Sequence, residues 1–346
     1  MAHGAASFDV GARARPVAER RLQRSAQGVD QVSRETQPII LRGFVKDWPV
    51  VAAARLSDDR LVEYLLGFDC GANIPVSVGP PDLRGRIFYN KTYTGLNVDQ
   101  GKSRFDTFMH RVLEHGARPE PPVIYMASIA VDEVVPGFRN TNDVGFSGAD
   151  PLASIWIGTR TRIAAHNDLP HNIACVAAGR RRFTLFPPGQ TRNLYVGPFE
   201  LTPAGRPISL VDFHEPDFDR FPRFADAMDA ALVAELEPGD ALYIPSMWWH
   251  HVEALAPVNV LVNYWWRTVP KYLGTPQDAL SHAMMTLRDL PPGEKQVWRE
   301  IFDHYVFGND AGTVDHIPER IRGILAPIDE DMARRVRGYL AARLSR

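Results

Sequence analysis

The chain has 346 residues, 45% apolar and 23% charged, an ordinary globular composition that excludes intrinsic disorder and fibrous repeats. Its 39 Lys+Arg against 41 Asp+Glu give a formal charge of −2, without the basic excess that nucleic-acid binding exploits, so no nucleic-acid partner is expected. Two cysteines leave no disulfide framework or Cys-rich zinc site, and no apolar run approaches the roughly 18 residues of a membrane helix, so the expected place is the cytoplasm, off the membrane.

In chain order, residues 1–35 are rich in Ala, Arg and Gln and read as an N-terminal leader, mobile or with an amphipathic helix over 16–27. From Gln37 the run QPIILRGFVKDWPV reads as a strand and a turn, and the folded domain is expected over 36–270. A helix is predicted over 57–66 with Ser57 as N-cap, and a second over 105–114. Short apolar runs at 74–78, 87–90 and 123–129, bounded by Gly and Pro, read as strands. From Ala153 to Arg267 the runs ASIWIG, RIAAHND, NIACVAAG, RRFTLFPP, ALYIP and NVLVNYWWR follow too closely to leave room for crossover helices. The expected fold is therefore mainly β with flanking helices, an antiparallel barrel or jelly roll. A long insertion at 191–232 is expected to carry its own helix and to act as a functional loop. Beyond Pro270 the texture turns helical at 276–288, 293–307 and 329–344, predicting a C-terminal helical module over 271–346.

The chemistry concentrates in two places. His166-Asn167-Asp168 lies in a strand-like run, where residues two apart share a face, so both side chains can address one metal ion. Alone the triplet is weak, because a second His-x-acid triplet, His251-Val252-Glu253, occurs in the same chain. Some eighty residues on, LEPGDALYIPSMWWHHV supplies a tight turn, a strand and the pair His250-His251. Two imidazoles and one carboxylate on one face of an octahedral ion leave three positions open, the arrangement of non-haem iron that takes a bidentate 2-oxoacid and dioxygen. Strand alternation alone leaves His251 as a rival to His250.

These motifs, HND followed by PHNIACVAAGRRRFTLFPP, LEPGDALYIPSMWWHHVEAL and VLVNYWW, resemble the cupin-like branch of the JmjC oxygenases, the branch of the hypoxia-inducible-factor asparaginyl hydroxylase. The resemblance runs from about Gln37 to Arg267. It implies a double-stranded β-helix that holds Fe(II) through His166, Asp168 and His250, with 2-oxoglutarate and dioxygen as co-substrates. It further implies that Tyr125, Asn172 and Asn263 line the 2-oxoglutarate pocket. Two departures stand out: Arg181 occupies the place of the family's lysine, thirteen residues after the aspartate, and Ile163 that of a threonine. Arginine grips a carboxylate through a two-pronged fork, so that role survives chemically. The implied reaction is hydroxylation of a protein or peptide side chain by ferryl-mediated C–H abstraction, with a homodimer formed through the C-terminal helices. The alternatives are a catalytically inactive metal-binding scaffold of the same fold and an oxygenase acting on a small molecule. Substrate choice falls to the loops at 79–104, 131–150 and 191–232, where Arg84, Arg86, Arg139 and Arg206 are candidates for an acidic partner.

Overall fold

The computed structural model describes residues 13–146 and 151–345. The chain divides into two compact units, Met1–Trp266 and Arg267–Arg346. In the first unit the strands are β1 (Arg15–Pro16), β2 (Ala18–Arg20), β3 (Ile39–Leu41), β4 (Asn73–Gly79), β5 (Arg86–Ile87), β6 (Asp99–Arg104), β7 (Val123–Ala130), β8 (Leu152–Gly158), β9 (Thr161–Asn167), β10 (His171–Ala178), β11 (Arg181–Phe186), β12 (Leu232–Leu236), β13 (Ala241–Ile244), β14 (Trp249–Ala254) and β15 (Asn259–Trp266).

They form two sheets, ordered β1-β12-β11-β14-β9-β5 and β2-β3-β13-β10-β15-β8-β7-β4-β6. From β8 to β15 four strands fall in each sheet and their pairings are antiparallel, the jelly roll that the strand spacing predicts in the double-stranded β-helix form that the resemblance implies. Alternation sorts each strand between two cores. On β10 and β15, Ala174, Val176 and Leu261 face the space between the sheets, where they meet Phe183, Leu185 and Ile244. Ile173, Cys175, Val262 and Tyr264 turn the other way and pack with Trp48, Phe105 and Phe108. Because both faces of the larger sheet are covered, its strands read as nearly continuous apolar runs rather than as half-polar ones. Each large side chain so buried contributes about 1.5–3 kcal/mol.

The helix Asp58–Leu66 starts where the sequence places it, with the Ser57 hydroxyl accepting from the Arg60 N–H at 3.1 Å. The second helix, Phe105–Gly116, runs two residues beyond its expected end. The strand expected over 87–90 is cut to Arg86–Ile87, because Phe88 leaves the ladder and donates its N–H to the Asn97 side chain at 2.8 Å.

The leader is corrected over its described residues; residues 1–12 of that expectation lie outside them. Arg15–Pro16 pairs in parallel with Leu232–Val233, Ala18–Arg20 pairs in parallel with Ile39–Leu41, and the helix there is Ala26–Val32, capped by Ser25. This segment therefore adds an edge strand to both sheets rather than standing apart from the folded domain.

The insertion packs on a core of its own, formed by Leu194, Val211, Phe213, Phe221 and Phe224 against Phe186 and Trp249, and carries the short helix Phe224–Asp229. The second unit contains the helices Pro276–Leu287, Pro292–Phe302, continued by a wide turn at Asp303–Phe307, and Glu330–Leu344. Among the described residues no helix is long and apolar enough to cross a membrane.

Candidate metal centre

His166 is the penultimate residue of β9 and His250 lies beside it on β14, the two residues being directly paired across the strands. Their ring centroids are 4.3 Å apart. Asp168 follows on the loop leaving β9, with its Oδ2 3.6 Å from His250 Nε2. One ligand atom from each of the three lies within 4.8 Å of the others, and among the described residues this is the one His/Cys/Asp/Glu group so arranged.

The backbone prepares the two imidazoles in the same way. His166 Nδ1 lies 2.9 Å from the Ala164 carbonyl and His250 Nδ1 lies 3.0 Å from the Trp248 carbonyl, each two residues back on its own chain. A carbonyl only accepts, so both Nδ1 atoms carry a proton and Nε2 is the nitrogen each ring turns toward a metal. Burial, reinforced by the neighbouring His166, pushes the His250 pKa down to about 4, so this ring is neutral and ready to ligate at physiological pH.

The geometry separates the rival histidine from the centre. β14 and β9 change register between His250 and Val252, so two β9 residues, Ala164 and Ala165, stand opposite His251 alone. His251 then faces away, its ring 4.6 Å from that of Phe213 and its Nδ1 4.0 Å from Glu253 Oε2. Glu253 in turn is tied to His214 of the insertion.

A cavity of about 270 Å³ opens from the three ligands into the space between the sheets. Tyr125, Asn172, Arg181 and Asn263 all line it, together with Ile163 at the place where the resemblance leads one to look for a hydroxyl. Asn263 donates to Asn172 Oδ1 at 2.7 Å, while its own Oδ1 is buried without a partner. Arg181 is 3% exposed, its Nε has no acceptor, and no carboxylate among the described residues pairs with it. Burial brings its pKa down to about 10, with Tyr125 opposing, and burial also raises the Tyr125 phenol well above its ordinary range.

A buried guanidinium without a counter-ion is costly. Such a group fits a site that receives a carboxylate from outside the chain, and a His-Asp-His set whose Nδ1 atoms are held by backbone carbonyls fits a divalent metal. The residues present thus suit both iron and an oxoacid.

Several lining residues lie beyond the site set that the resemblance implies. Trp265 shares the inward face of β15 with Asn263, two residues away, so alternation alone would have found it. Trp156, stacked on Tyr125 and edge-on to Trp265, needed the β8–β15 register. Pro203, Ala204 and Gly205 of the insertion wall the cavity from a segment without periodicity. Of the four loop arginines, Arg84 pairs with Glu215, Arg86 with Asp212, and Arg139 with Asp132 and Asp143. Arg206 has no acidic partner among the described residues and donates from Nε to the Asn167 carbonyl at 3.1 Å.

Comparison with known proteins agrees with this arrangement. The family model described as "Cupin-like domain" matches residues 25–272. Human HSPB1-associated protein 1 is 33% identical over 152 residues, covering 42% of this chain and 30% of that protein. Arabidopsis thaliana lysine-specific demethylase JMJ31 is 32% identical over 126 residues, covering 36% of this chain and 22% of that protein. Drosophila melanogaster Jumonji C domain-containing protein 5 is 25% identical over 235 residues, covering 66% and 54%. The chain thus matches less than a third of the length of the first two relatives. With the family model spanning well over half of its residues, the chain belongs to the cupin-like domain family and stands among relatives of JmjC type.

Proposed function

We propose that the chain is an Fe(II)- and 2-oxoglutarate-dependent oxygenase that hydroxylates a protein or peptide side chain. The observation that carries this reading is Arg181: an unpaired guanidinium lining the same cavity as a His-Asp-His metal set. Iron with the oxoacid would supply the oxidising power to insert one oxygen atom of dioxygen into a C–H bond, while the oxoacid takes up the other and loses carbon dioxide to become the acid one carbon shorter. The protein's part is to hold and to exclude. His166 and His250 offer Nε2, Asp168 offers its carboxylate, Arg181 and the protonated Tyr125 phenol donate to the far carboxylate of the oxoacid, and Asn172 and Asn263 fix its orientation. Trp156, Phe183 and Leu261 keep the walls apolar and limit water around the reacting groups.

A macromolecular substrate is supported by the wall that the insertion contributes and by the names of two relatives, one HSPB1-associated and one a lysine-specific demethylase. The second unit supports self-association: Met285, Val297, Val306 and Phe307 are 55–77% exposed, and of its described residues only Thr313 and Ala333 are buried. Helices that hide so little apolar surface call for a cover, and a second copy of the chain is the partner we propose.

The test is anaerobic addition of Fe(II) and 2-oxoglutarate to the purified chain, watching for the weak visible charge-transfer band of a chelated oxoacid. The band is expected in the wild type and in His251→Ala, and its loss is expected in His250→Ala and Arg181→Met. Iron binding without the band would favour the metal-binding scaffold. If the band forms, oxoacid turnover stimulated by peptides rather than by small metabolites would mark a protein substrate.

A further inference from the structure

We infer that Arg206 of the insertion is a positioning residue for the metal centre, acting through the backbone that carries His166 and Asp168. The inference rests on the metal-site reading and deepens it.

From Ala164 to Asp168, four of the five carbonyls are each held from a different place. Ala164 O accepts from His166 Nδ1 at 2.9 Å. Ala165 O accepts from the Ser209 N–H at 2.7 Å, Asn167 O from Arg206 Nε at 3.1 Å, and Asp168 O from the Met247 N–H at 2.8 Å. Two of these four donors, Arg206 and Ser209, belong to the insertion, and they bracket His166 from outside the β9 ladder.

The short edge strand β5 explains why outside donors are needed. It pairs with β9 only at Arg162 and Ile163, so beyond them no strand among the described residues covers the outer edge of β9. Asn167 lies between the two β9-side ligands, so whatever fixes its peptide fixes the turn that swings Asp168 toward His250. Arg206 does this by a single bond, with no carboxylate among the described residues to hold its guanidinium elsewhere. Immediately before it, Pro203, Ala204 and Gly205 form cavity wall, and Gly205 adopts φ +68, a conformation that glycine takes without strain. One short segment therefore both touches the cavity and tethers the ligand strand, so a substrate that presses on the wall acts on the metal geometry.

The test is a Co(II) titration of the metal-free full-length chain, reading affinity and the visible ligand-field spectrum, for wild type, Arg206→Met, Arg206→Lys and His166→Ala. Met keeps the stem but removes the donor, and Lys keeps a donor at the end of a similar stem. Loss of a partner bonded directly to a ligand side chain costs about 10–100-fold in metal affinity, and loss of a backbone tether between two ligands is expected at the lower end, about tenfold. The expected result is such a loss with an altered spectrum in Arg206→Met, partial recovery in Arg206→Lys, and an unchanged thermal midpoint of the metal-free proteins. Wild-type affinity and spectrum in Arg206→Met would overturn the inference, as would a lowered midpoint with an unaltered spectrum, which marks a strut for the loop. If the wild type binds Co(II) no more tightly than His166→Ala does, the metal-site reading itself falls, and this inference with it.

Discussion

Replacing Arg181 by methionine should stabilise the metal-free chain, although it removes a buried side chain with five donors. Arg181 is 3% exposed and faces no carboxylate, and burial brings its pKa from 12.5 to about 10. At 1.36 kcal/mol per unit this is about 3 kcal/mol against the charged form in the fold. The sign follows from proton binding: below pH 10 both states hold the proton and the full cost is present, and it is relieved only as pH rises from there toward 12.5. Apolar replacements of buried charges gain about 1–4 kcal/mol in favourable cases. In a unit of this size that corresponds to a rise in thermal midpoint on the order of 5 °C. With metal present in both, 2-oxoglutarate at a hundred times its dissociation constant should add about 2.7 kcal/mol to the wild type and nothing comparable to the variant. Scanning calorimetry with and without metal and oxoacid reads both effects. A variant that is less stable by about 3–5 kcal/mol would refute the reasoning, because that is the cost of breaking a compensated pair rather than relieving an uncompensated charge.

Other outcomes follow from neighbouring features. Burial works against the Glu253 carboxylate, but its bond to His214 and the nearby His251 and Arg182 outweigh it and keep its pKa below the usual 4.5. Its stabilisation is thus present above pH 4.5 and lost as pH falls through the folded value; Glu253→Gln should cost about 1–3 kcal/mol in neutral urea titrations and little at pH 3. Gly158 stands opposite Tyr125 in the sheet, and a methyl there would lie 2.7 Å from the Ile124 carbonyl and 3.0 Å from Tyr125 Cδ2. Gly158→Ala should therefore displace the phenol, lower the thermal midpoint and weaken 2-oxoglutarate binding about tenfold or more by calorimetry. Asp in place of Val306 and Phe307 should shift sedimentation from dimer to monomer without changing the metal titration; wild-type sedimentation as a monomer would dismiss the second copy as the cover.

What could be read in advance tracks which physical signals are local. The spacing of apolar runs was enough for an antiparallel barrel or jelly roll, while the double-stranded β-helix and the pocket roles of Asn172 and Asn263 came from the family resemblance carried by the HND, WWHH and VNYW motifs. The choice between His250 and His251 was not local, since it turns on which β9 residue each one meets and on the register change beside them. The N-terminal strands were missed because segments of two and three residues, made of Arg, Pro, Ala and Glu, show no period and gain their place from partners far along the chain. Arg206 was one charge among many until the Asn167 carbonyl singled it out. The exposed faces of the C-terminal helices are likewise visible only once their neighbours are known to leave them bare.

The carbonyl bonds of His166 and His250 have a magnetic consequence. Each Nδ1 proton is fixed on its own strand, in rings 7% and 4% exposed. Neither ring can turn to offer its other nitrogen without breaking that bond inside the protein. The two protons should therefore exchange slowly with water and stand downfield in the proton spectrum of the metal-free chain. A diamagnetic ion such as Zn(II) would move both signals while leaving them unexchanged, so the ligand set can be followed one ring at a time without any turnover.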